Sequence, residues 1–455
     1  MSAPLRFDRR MTGAEALMWT VQRDPILRSS FLNLTLLEQP PDFERFRRRM
    51  GQAVEALPRL RQRVRSGTVP GTWPEWVDDT SFDLDYHVRH VALPPPGTMR
   101  QLLDLAAVEA QDSFDLARPL WRFWIVKGLD GGDGPGRAAL LSKMHHTITD
   151  GVGGVRLSAQ FIDLAPDAPD PEPAPPAEVV GGGNLLVAAA RQVGDAVGSM
   201  ARVAGSLATA RPGAAVETAR SFVRQVVVTE SARSPLWAGR HGLSRSFEVL
   251  SFGLDEAKQA SHNLGGTVND LYVAGVAGGA AAYHRAKGAD VDELRMTMPI
   301  STRSDRSAGG NAFAPARVLI PAGTVDPAKR FAQVHERLSA TRSERALGWA
   351  GALAGALTAL PGPLLVRMAR SQVDTVDFAT SNVRGAPFDL WIAGARILAN
   401  HPFGPTAGTA FNATVLSSAG SMDVGLACDT AAIDDPDLLR RCIEEGLAEV
   451  IAAGS

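Results

Sequence analysis

The 455-residue sequence contains only two cysteines, Cys428 and Cys442. So few thiols in so long a chain exclude a disulfide scaffold and are typical of a reducing compartment. Neither sign of charge is in excess, because 47 basic and 49 acidic residues leave a net charge of −2. This balance gives no reason to expect a nucleic-acid partner. Residues 1–13 have no apolar core of the signal-peptide type, so we expect a cytoplasmic protein.

The motifs of several common enzyme classes are also missing. The sequence has no Gly-x-Ser-x-Gly elbow and no Walker motif, and its glycine run Gly275–Gly279 lies in a helical pattern without the strand that a dinucleotide fingerprint needs. Neither cysteine belongs to a motif, so no covalent nucleophile is indicated. One uncharged stretch, Ala346–Val366, is about long enough to span a membrane. Because Pro361 and Pro363 interrupt it, we interpret it as two packed helices.

Length and composition predict two domains with a connector between them. The chain is too long for one ordinary core, and 45% hydrophobic with 21% charged residues is typical of a globular protein. Six prolines in residues 166–176 predict an extended linker, and residues 184–227 read as two mildly basic, amphipathic helical segments. Strand and helix patterns alternate on both sides of this region. We therefore predict an α/β fold of α+β layers, with domains over 1–165 and 241–455 and a linker and helical connector over 166–240.

Local signals predict individual elements within these domains. Thr12 and Glu15 form a capping-box pattern that predicts a short helix. Trp121–Lys127 and the segment before residue 145 predict a hairpin of two strands. In the second half, Asp255 is expected to cap one helix, and Thr267–Lys287 is expected to form a long one.

Two adjacent histidines, His145 and His146, end an apolar strand pattern and are followed by Asp150 and Gly151. Because side chains alternate along a strand, we expect one histidine to pack and the other to face a cleft. Asp150 could orient an imidazole or tie the turn to another element, while Gly151 permits unusual backbone angles. A metal site is disfavoured, because no residue at ligand spacing joins the two histidines.

The pattern His-His-x-x-x-Asp-Gly resembles the signature of an acyltransferase superfamily that includes chloramphenicol acetyltransferase and the condensation domains of peptide synthetases. A neutral histidine is the usual general base for deprotonating a hydroxyl group near pH 7. Together with the absence of a covalent nucleophile, this favours direct transfer of an acyl group from a thioester to an acceptor. The tetrahedral oxyanion would need hydrogen-bond donors.

Further motifs make the resemblance more specific, and it extends over nearly the whole chain. These motifs are Pro119-Leu120-Trp121, Asn269-Asp270, Pro299-Ile300-Ser301-Thr302-Arg303, Gly310-Asn311 and Ser381-Asn382-Val383-Arg384-Gly385-Ala386-Pro387. Together they resemble the bacterial wax ester synthase/acyl-CoA:diacylglycerol acyltransferase family. The resemblance implies two chloramphenicol-acetyltransferase-like domains with the active-site channel at their interface.

The same resemblance implies catalytic roles for the histidine motif. His146 would be the general base, and His145 would support the local geometry. Asp150 would be structural, in a salt bridge to an arginine for which Arg61 is the candidate, and Gly151 would leave room beside His146.

It also implies positions that bind substrate, namely Trp121, Asn269, Asp270, Ser381 and Asn382. Pro119 and Leu120 would have structural roles. Two of these assignments have plainer alternatives: Trp121 as a core residue, and Asn269 as a helix cap with Asp270 near the positive helix N-terminus.

The expected activity is transfer of a long acyl chain from acyl-CoA to diacylglycerol or to a fatty alcohol. Acyl-CoA is a substrate in this scheme, and no metal or bound cofactor is implied. A peripheral contact with the inner face of the membrane or with lipid droplets is expected from the connector helices and from the insolubility of these acceptors. Two alternatives stay open: an acyltransferase of polyketide-lipid or condensation type with a carrier-bound donor, and a lipid-binding or droplet protein without turnover.

Overall fold

The computed structural model describes residues 6–66, 74–130, 136–148, 157–170, 178–180, 233–301, 313–342 and 361–455. Within these ranges the strands are β1 Arg6–Asp8, β2 Ser30–Leu37, β3 Gln62–Arg65, β4 Glu75–Asp78, β5 Val88–Ala92, β6 Trp121–Leu129, β7 Arg137–His145, β8 Glu178–Val180, β9 Arg245–Gly253, β10 Glu293–Ser301, β11 Phe313–Pro321, β12 Phe378–Arg384, β13 Trp391–Ile392, β14 Ala395–Phe403, β15 Phe411–Ser418 and β16 Ser421–Asp429. The helices are α1 Gly13–Val21, α2 Phe43–Ala56, α3 Leu84–His87, α4 Met99–Gln111, α5 Leu254–Asn263, α6 Val268–Ala286, α7 Pro327–Arg342, α8 Gly362–Val373 and α9 Pro436–Ala453.

Two six-stranded sheets form the framework, one for each half of the chain. The first has the strand order β13-β14-β2-β7-β6-β5, and the second has the order β11-β10-β12-β15-β16-β9. The predicted hairpin is confirmed, because β6 and β7 pair antiparallel, with Trp121 opposite Met144. β7 is an interior strand of the first sheet, and His145 is its last residue.

One strand pair crosses between the halves. β13 and β14 belong to the second half of the sequence, yet β14 pairs antiparallel with β2 in the first sheet and places Asn400 opposite Thr35. Phe403 of β14 also stacks on Phe247 of β9, with 4.0 Å between the ring centroids. Strand β14 thus joins the two sheets directly. The predicted domain bounds stay a prediction, and they did not include this contribution of the second half to the first sheet.

Helix α6 lies at the centre of the second half. The helix begins where the sequence predicts. Thr267 accepts a hydrogen bond from the backbone N–H of Asp270, and the Asp270 carboxylate accepts one from the backbone N–H of Thr267. The run Gly275–Gly279 is helical, as predicted. It permits close packing on α9, because a Cβ atom on Gly279 would lie 2.4 Å from the Ile443 Cα atom.

Two other local predictions have different outcomes. The capping box of Thr12 and Glu15 is confirmed at the start of α1. The prediction that Asp255 caps a helix is wrong, since α5 begins at Leu254 with Gly253 as the N-cap. Asp255 lies in the first turn instead, where a carboxylate is also favourable because of the helix dipole.

The predicted helical region 184–227 lies entirely outside the described residues, and so do residues 346–360 of the predicted region Ala346–Val366. Among the helices that the structure does describe, we find none that combines the length and the apolar character needed to cross a bilayer.

Candidate active site at the end of strand β7

The two histidines at the end of β7 have different surroundings. His145 is the last strand residue and is 1% exposed, whereas His146 begins the following turn and is half-buried. The backbone N–H of His145 donates to the Leu120 carbonyl at 3.0 Å, and that of His146 donates to the Ser29 carbonyl at 2.9 Å. The histidine pair is therefore fixed by backbone bonds to residues just before β6 and β2.

The ring of His145 is held in one tautomer. Its Nδ1 atom accepts a hydrogen bond from the backbone N–H of Thr147 at 3.2 Å and lies 2.8 Å from the Thr147 hydroxyl. Because a backbone N–H can only donate, Nδ1 is unprotonated and Nε2 carries the proton. Burial lowers the pKa of His145 to about 3, with a smaller contribution from the neighbouring His146. His145 is therefore neutral near pH 7.

We expect Thr147→Val to lower the free energy of unfolding by about 1 kcal/mol, because valine removes the hydroxyl partner of a buried ring nitrogen. Thr147 itself is fully buried, so water cannot replace the lost partner. Chemical denaturation of the variant beside Thr147→Ser measures the effect. The serine variant retains the hydroxyl and should stay closer to wild type, and equal losses in both variants would contradict this role for the bond.

The side chain of His146 contacts Phe31 of β2, with 4.7 Å between the ring centroids. The segment before β2 borders the second half of the chain, since Leu27 packs in one apolar cluster with Leu365 of α8. Asp24 and Arg370 form an ion pair at 2.5 Å beside it. His146 therefore lies near a boundary between elements of the two halves.

The remaining residues of the histidine motif, Asp150 and Gly151, lie outside the described residues. Arg61, the candidate partner of Asp150, donates to the Val54 and Glu55 carbonyls at the end of α2, at 3.0 and 2.9 Å. A salt bridge between Arg61 and Asp150 stays a prediction.

The Pro119-Leu120-Trp121 motif lies directly against the histidines, because Leu120 provides the carbonyl that binds the His145 backbone. Trp121 is fully buried and donates from Nε1 to the Leu60 carbonyl at 2.8 Å. Its ring stacks on His87, with 4.5 Å between centroids. This is the geometry of the core alternative, and a direct contact of Trp121 with substrate stays a prediction. Sequence spacing gave no signal for the bond between Leu120 and His145.

A cavity of about 210 Å³ brings together three of the sequence motifs. Residues from α6, β10 and β12 line it, namely Asn269, Met298, Pro299, Ile300, Thr380, Ser381 and Asn382. The Asn382 amide donates to Asn269 Oδ1 at 3.3 Å. The mixture of amide and hydroxyl groups with apolar side chains suits a ligand that has both polar and apolar parts.

The Asn269-Asp270 pair divides between this cavity and the helix interior. Thr267, and not Asn269, is the N-cap of α6, so the capping alternative for Asn269 is wrong. Asp270 is fully buried, and its carboxylate accepts from Thr267 and lies 2.8 Å from Nδ1 of His335 on α7. Contact of Asp270 with substrate stays a prediction. Sequence reasoning missed His335, because nothing near it in the chain marks it as a partner of Asp270.

Both cysteines are poor nucleophiles in this fold. Burial raises the pKa of the Cys428 and Cys442 thiols, so both are protonated near pH 7. Within the described ranges no three His, Cys, Asp or Glu side chains lie close enough together to hold a metal ion.

Two protein-family models match most of the chain. Residues 11–272 match the model of the wax ester synthase/diacylglycerol acyltransferase catalytic domain, and residues 309–450 match that of the WS/DGAT C-terminal domain. A Mycobacterium tuberculosis (strain H37Rv) protein named for diacylglycerol O-acyltransferase activity is 34% identical over 461 residues, which cover 98% of this chain and 92% of that protein. A second such protein, from strain CDC 1551, is 30% identical over 86% of this chain and 88% of its own length.

Solved structures confirm the predicted fold of two related domains. The wax ester synthase/diacylglycerol acyltransferase from Marinobacter aquaeolei VT8 superposes with a TM-score of 0.66 at 20% identity, covering 98% of this chain and 100% of that chain. The first condensation domain of the calcium-dependent antibiotic synthetase gives a TM-score of 0.61 at 16% identity, over 100% and 98% of the two chains.

Proposed function

Because this chain belongs to the wax ester synthase/diacylglycerol acyltransferase family and is an acyltransferase of that type, we propose that it transfers a long acyl chain from acyl-CoA to the hydroxyl group of diacylglycerol or of a fatty alcohol. The observation that carries the proposal is the placement of the histidine pair. One neutral, buried imidazole is held rigidly at the end of β7, and the next imidazole is partly open to solvent.

His146 is the general base in this proposal. Its imidazole takes the proton of the acceptor hydroxyl as the oxygen attacks the thioester carbonyl carbon, which forms a tetrahedral intermediate. The C–S bond then breaks, the CoA thiolate leaves, and the imidazolium returns the proton to the sulfur. His145 is neutral and therefore adds no positive charge beside the base. The Thr147 and Leu120 bonds that hold His145 also fix the backbone from which His146 extends.

The cavity beside Asn269 is a second part of the proposed site. At about 210 Å³ it is smaller than the roughly 300–1,000 Å³ of a typical small-molecule pocket, so it would hold a short segment of a substrate and not a whole acyl-CoA. Asn269, Ser381 and Asn382 would donate hydrogen bonds to substrate oxygens there, in keeping with their predicted binding roles.

The test is release of CoA thiol from a long-chain acyl-CoA, measured with diacylglycerol, with a fatty alcohol, and without acceptor. We expect release that depends on an acceptor, and the acceptor that supports it identifies the product class. No release with either acceptor, together with turnover of the same acyl group on a carrier protein, would replace this proposal by a carrier-dependent reaction. Binding of acyl chains without any thioester loss would replace it by a lipid-binding role.

Peripheral contact with a membrane or droplet is also proposed, and among the described residues helix α8 supports it. Leu364 and Met368 are 46% and 39% exposed, and they lie four residues apart on one helical face with the exposed Arg367 between them. Apolar side chains beside a cation suit an anionic lipid surface.

We expect Leu364→Ser combined with Met368→Ser to reduce flotation of the protein with vesicles that contain phosphatidylglycerol, because these changes remove the exposed apolar area of α8. Val108→Ser on α4, where valine is 57% exposed, is the matched control and should leave flotation unchanged. Equal flotation of all three proteins would show that α8 does not contact the lipid.

A further inference from the structure

Asn33, Thr35 and Asn400 form a row of polar side chains that crosses the first sheet near His146. Phe31, Asn33 and Thr35 alternate along β2 and therefore share one sheet face. The Phe31 ring contacts His146, and the strand register places Asn400 of β14 opposite Thr35. Although β2 is an interior strand with neighbours on both sides, Asn33 and Asn400 are partly exposed. Solvent therefore reaches part of both asparagines, as it does the half-buried His146.

Hydrogen bonds within the row fix the orientation of the Asn400 amide. Thr35 Oγ1 donates to Asn400 Oδ1 at 2.7 Å, and Asn33 Nδ2 donates to Thr35 Oγ1 at 2.9 Å. The Asn400 oxygen is therefore directed toward β2, and its Nδ2 lies on the opposite side of the amide. Within the part of the chain that the structure describes, Asn400 Nδ2 and Asn33 Oδ1 have no hydrogen-bond partner. The row thus has more hydrogen-bonding capacity than these residues satisfy.

Asn400 is also fixed from the second half of the molecule. Its backbone N–H donates to Asp423 Oδ2 at 2.8 Å, and the same carboxylate accepts from the Ser251 and Ser421 hydroxyls at 2.8 and 2.6 Å. Asn400 consequently lies where the two sheets meet, with its side chain bound to one and its backbone to the other. A rigidly held donor at such a boundary is suited to recognise a ligand that passes between the halves.

We infer that Asn400 Nδ2 donates a hydrogen bond to an amide carbonyl of the pantetheine arm of the acyl donor, an inference that rests on the proposed function. Pantetheine is a peptide-like chain with two amides, and its carbonyl oxygens are strong acceptors for an N–H donor. The same arm occurs in CoA and on carrier proteins, and both are therefore included in the test.

Distance favours this arm over the acceptor substrate. Thr35 lies four positions after Phe31, which corresponds to about 13 Å along β2. The second pantetheine amide lies nine bonds from the thioester carbon, or about 11 Å at the roughly 1.2 Å per bond of an extended backbone. The ester carbonyls of diacylglycerol lie only four or five bonds, about 5–6 Å, from its free hydroxyl. A simple fatty alcohol has no carbonyl at all.

The experiment compares one acyl group on N-acetylcysteamine, on pantetheine, on CoA and on a carrier protein, with acceptor at saturation. N-acetylcysteamine retains only the first amide, whereas the other three donors contain both. The proteins are wild type, Asn400→Asp, Asn400→Ala and the control Gln259→Ala, which removes an exposed amide on α5. Aspartate retains an oxygen for Thr35 and loses the N–H donors, so it separates loss of the donor from disruption of the row.

We expect the preference in kcat/KM for acyl-pantetheine over acyl-N-acetylcysteamine to fall about 5-fold in both Asn400 variants and to stay unchanged in Gln259→Ala. The KM of the acceptor should not change. The carrier-protein and CoA arms show which source of pantetheine the site serves. An unchanged preference, or an effect limited to the acceptor KM, would overturn the inference.

A binding measurement tests the inference separately if the proposed function is wrong. If wild type consumes none of the thioesters, binding of an S-alkyl pantetheine thioether and of its N-acetylcysteamine counterpart is measured at equilibrium. The inference then requires the pantetheine compound to bind more tightly to wild type and to lose about 5-fold of this advantage in Asn400→Asp. Equal binding of the two thioethers by wild type would overturn it.

Discussion

His146→Ala should lower the turnover of acyl-CoA with its acceptor by about 10²–10⁴-fold, which is the usual contribution of a general base. The loss should appear in kcat and in kcat/KM to a similar extent, because proton removal stabilises only the transition state. The measurement is the initial rate of CoA release at saturating acceptor, with circular dichroism and thermal unfolding to show that the fold is retained.

The control for this prediction is His262→Ala, since His262 is an exposed histidine at the end of α5. It should have the activity of wild type. Near-normal turnover of a folded His146→Ala protein would remove His146 as the base and would direct attention to another group that can take a proton from the acceptor.

Gly279→Ala should strongly destabilise the contact between α6 and α9. The added Cβ would lie 2.4 Å from Ile443 Cα and 2.6 Å from the Cys442 carbonyl oxygen, and backbone atoms cannot move aside as a flexible side chain can. Overpacking of this kind costs roughly 3 kcal/mol. Native-state hydrogen exchange is the suitable measurement, because it reports local opening, and amides in α6 and α9 should exchange about 10²-fold faster.

Gly51→Ala is the matched control within a helix. The nearest atom to its added Cβ is Leu84 Cδ2 at 3.7 Å, an ordinary contact, and alanine is about 0.5–1 kcal/mol better than glycine inside a helix. The α2 amides should therefore exchange at the same rate or more slowly. If Gly279→Ala leaves exchange in α6 unchanged, the two helices can move apart far enough to accommodate the methyl group without loss of stability.

The sequence predicted those features that depend on neighbouring residues. The capping box at Thr12 closes within one turn of helix, and the hairpin before His145 follows from two apolar segments separated by a glycine- and aspartate-rich turn. The histidine pair was recognisable for the same reason, because its spacing lies within one motif. Asp255 was misplaced as a cap because a carboxylate is favourable both at the N-cap and in the first turn, so the sequence does not distinguish them.

The features that sequence reasoning missed involve residues far apart in the chain. Asn400 reaches Thr35 across 365 positions, and His335 reaches Asp270 across 65. A pattern of period two or 3.6 carries no information about which strand or helix will lie next to another. Such contacts arise only when the whole fold is assembled, and for this reason the pantetheine position and the partner of Asp270 required the structure.

Strand β14, which joins the first sheet although it belongs to the second half of the sequence, has a consequence for synthesis of the protein. β14 begins about 360 residues after β2, so at roughly 5–20 residues per second the ribosome makes it some 20–70 s after β2 has emerged. During that interval one edge of β2 has no partner, and unpaired edges promote association with other chains. The nascent N-terminal half would therefore depend on shielding by chaperones. By the same reasoning, a chain that lacks residues 391–403 should accept a synthetic peptide of that sequence as a replacement strand.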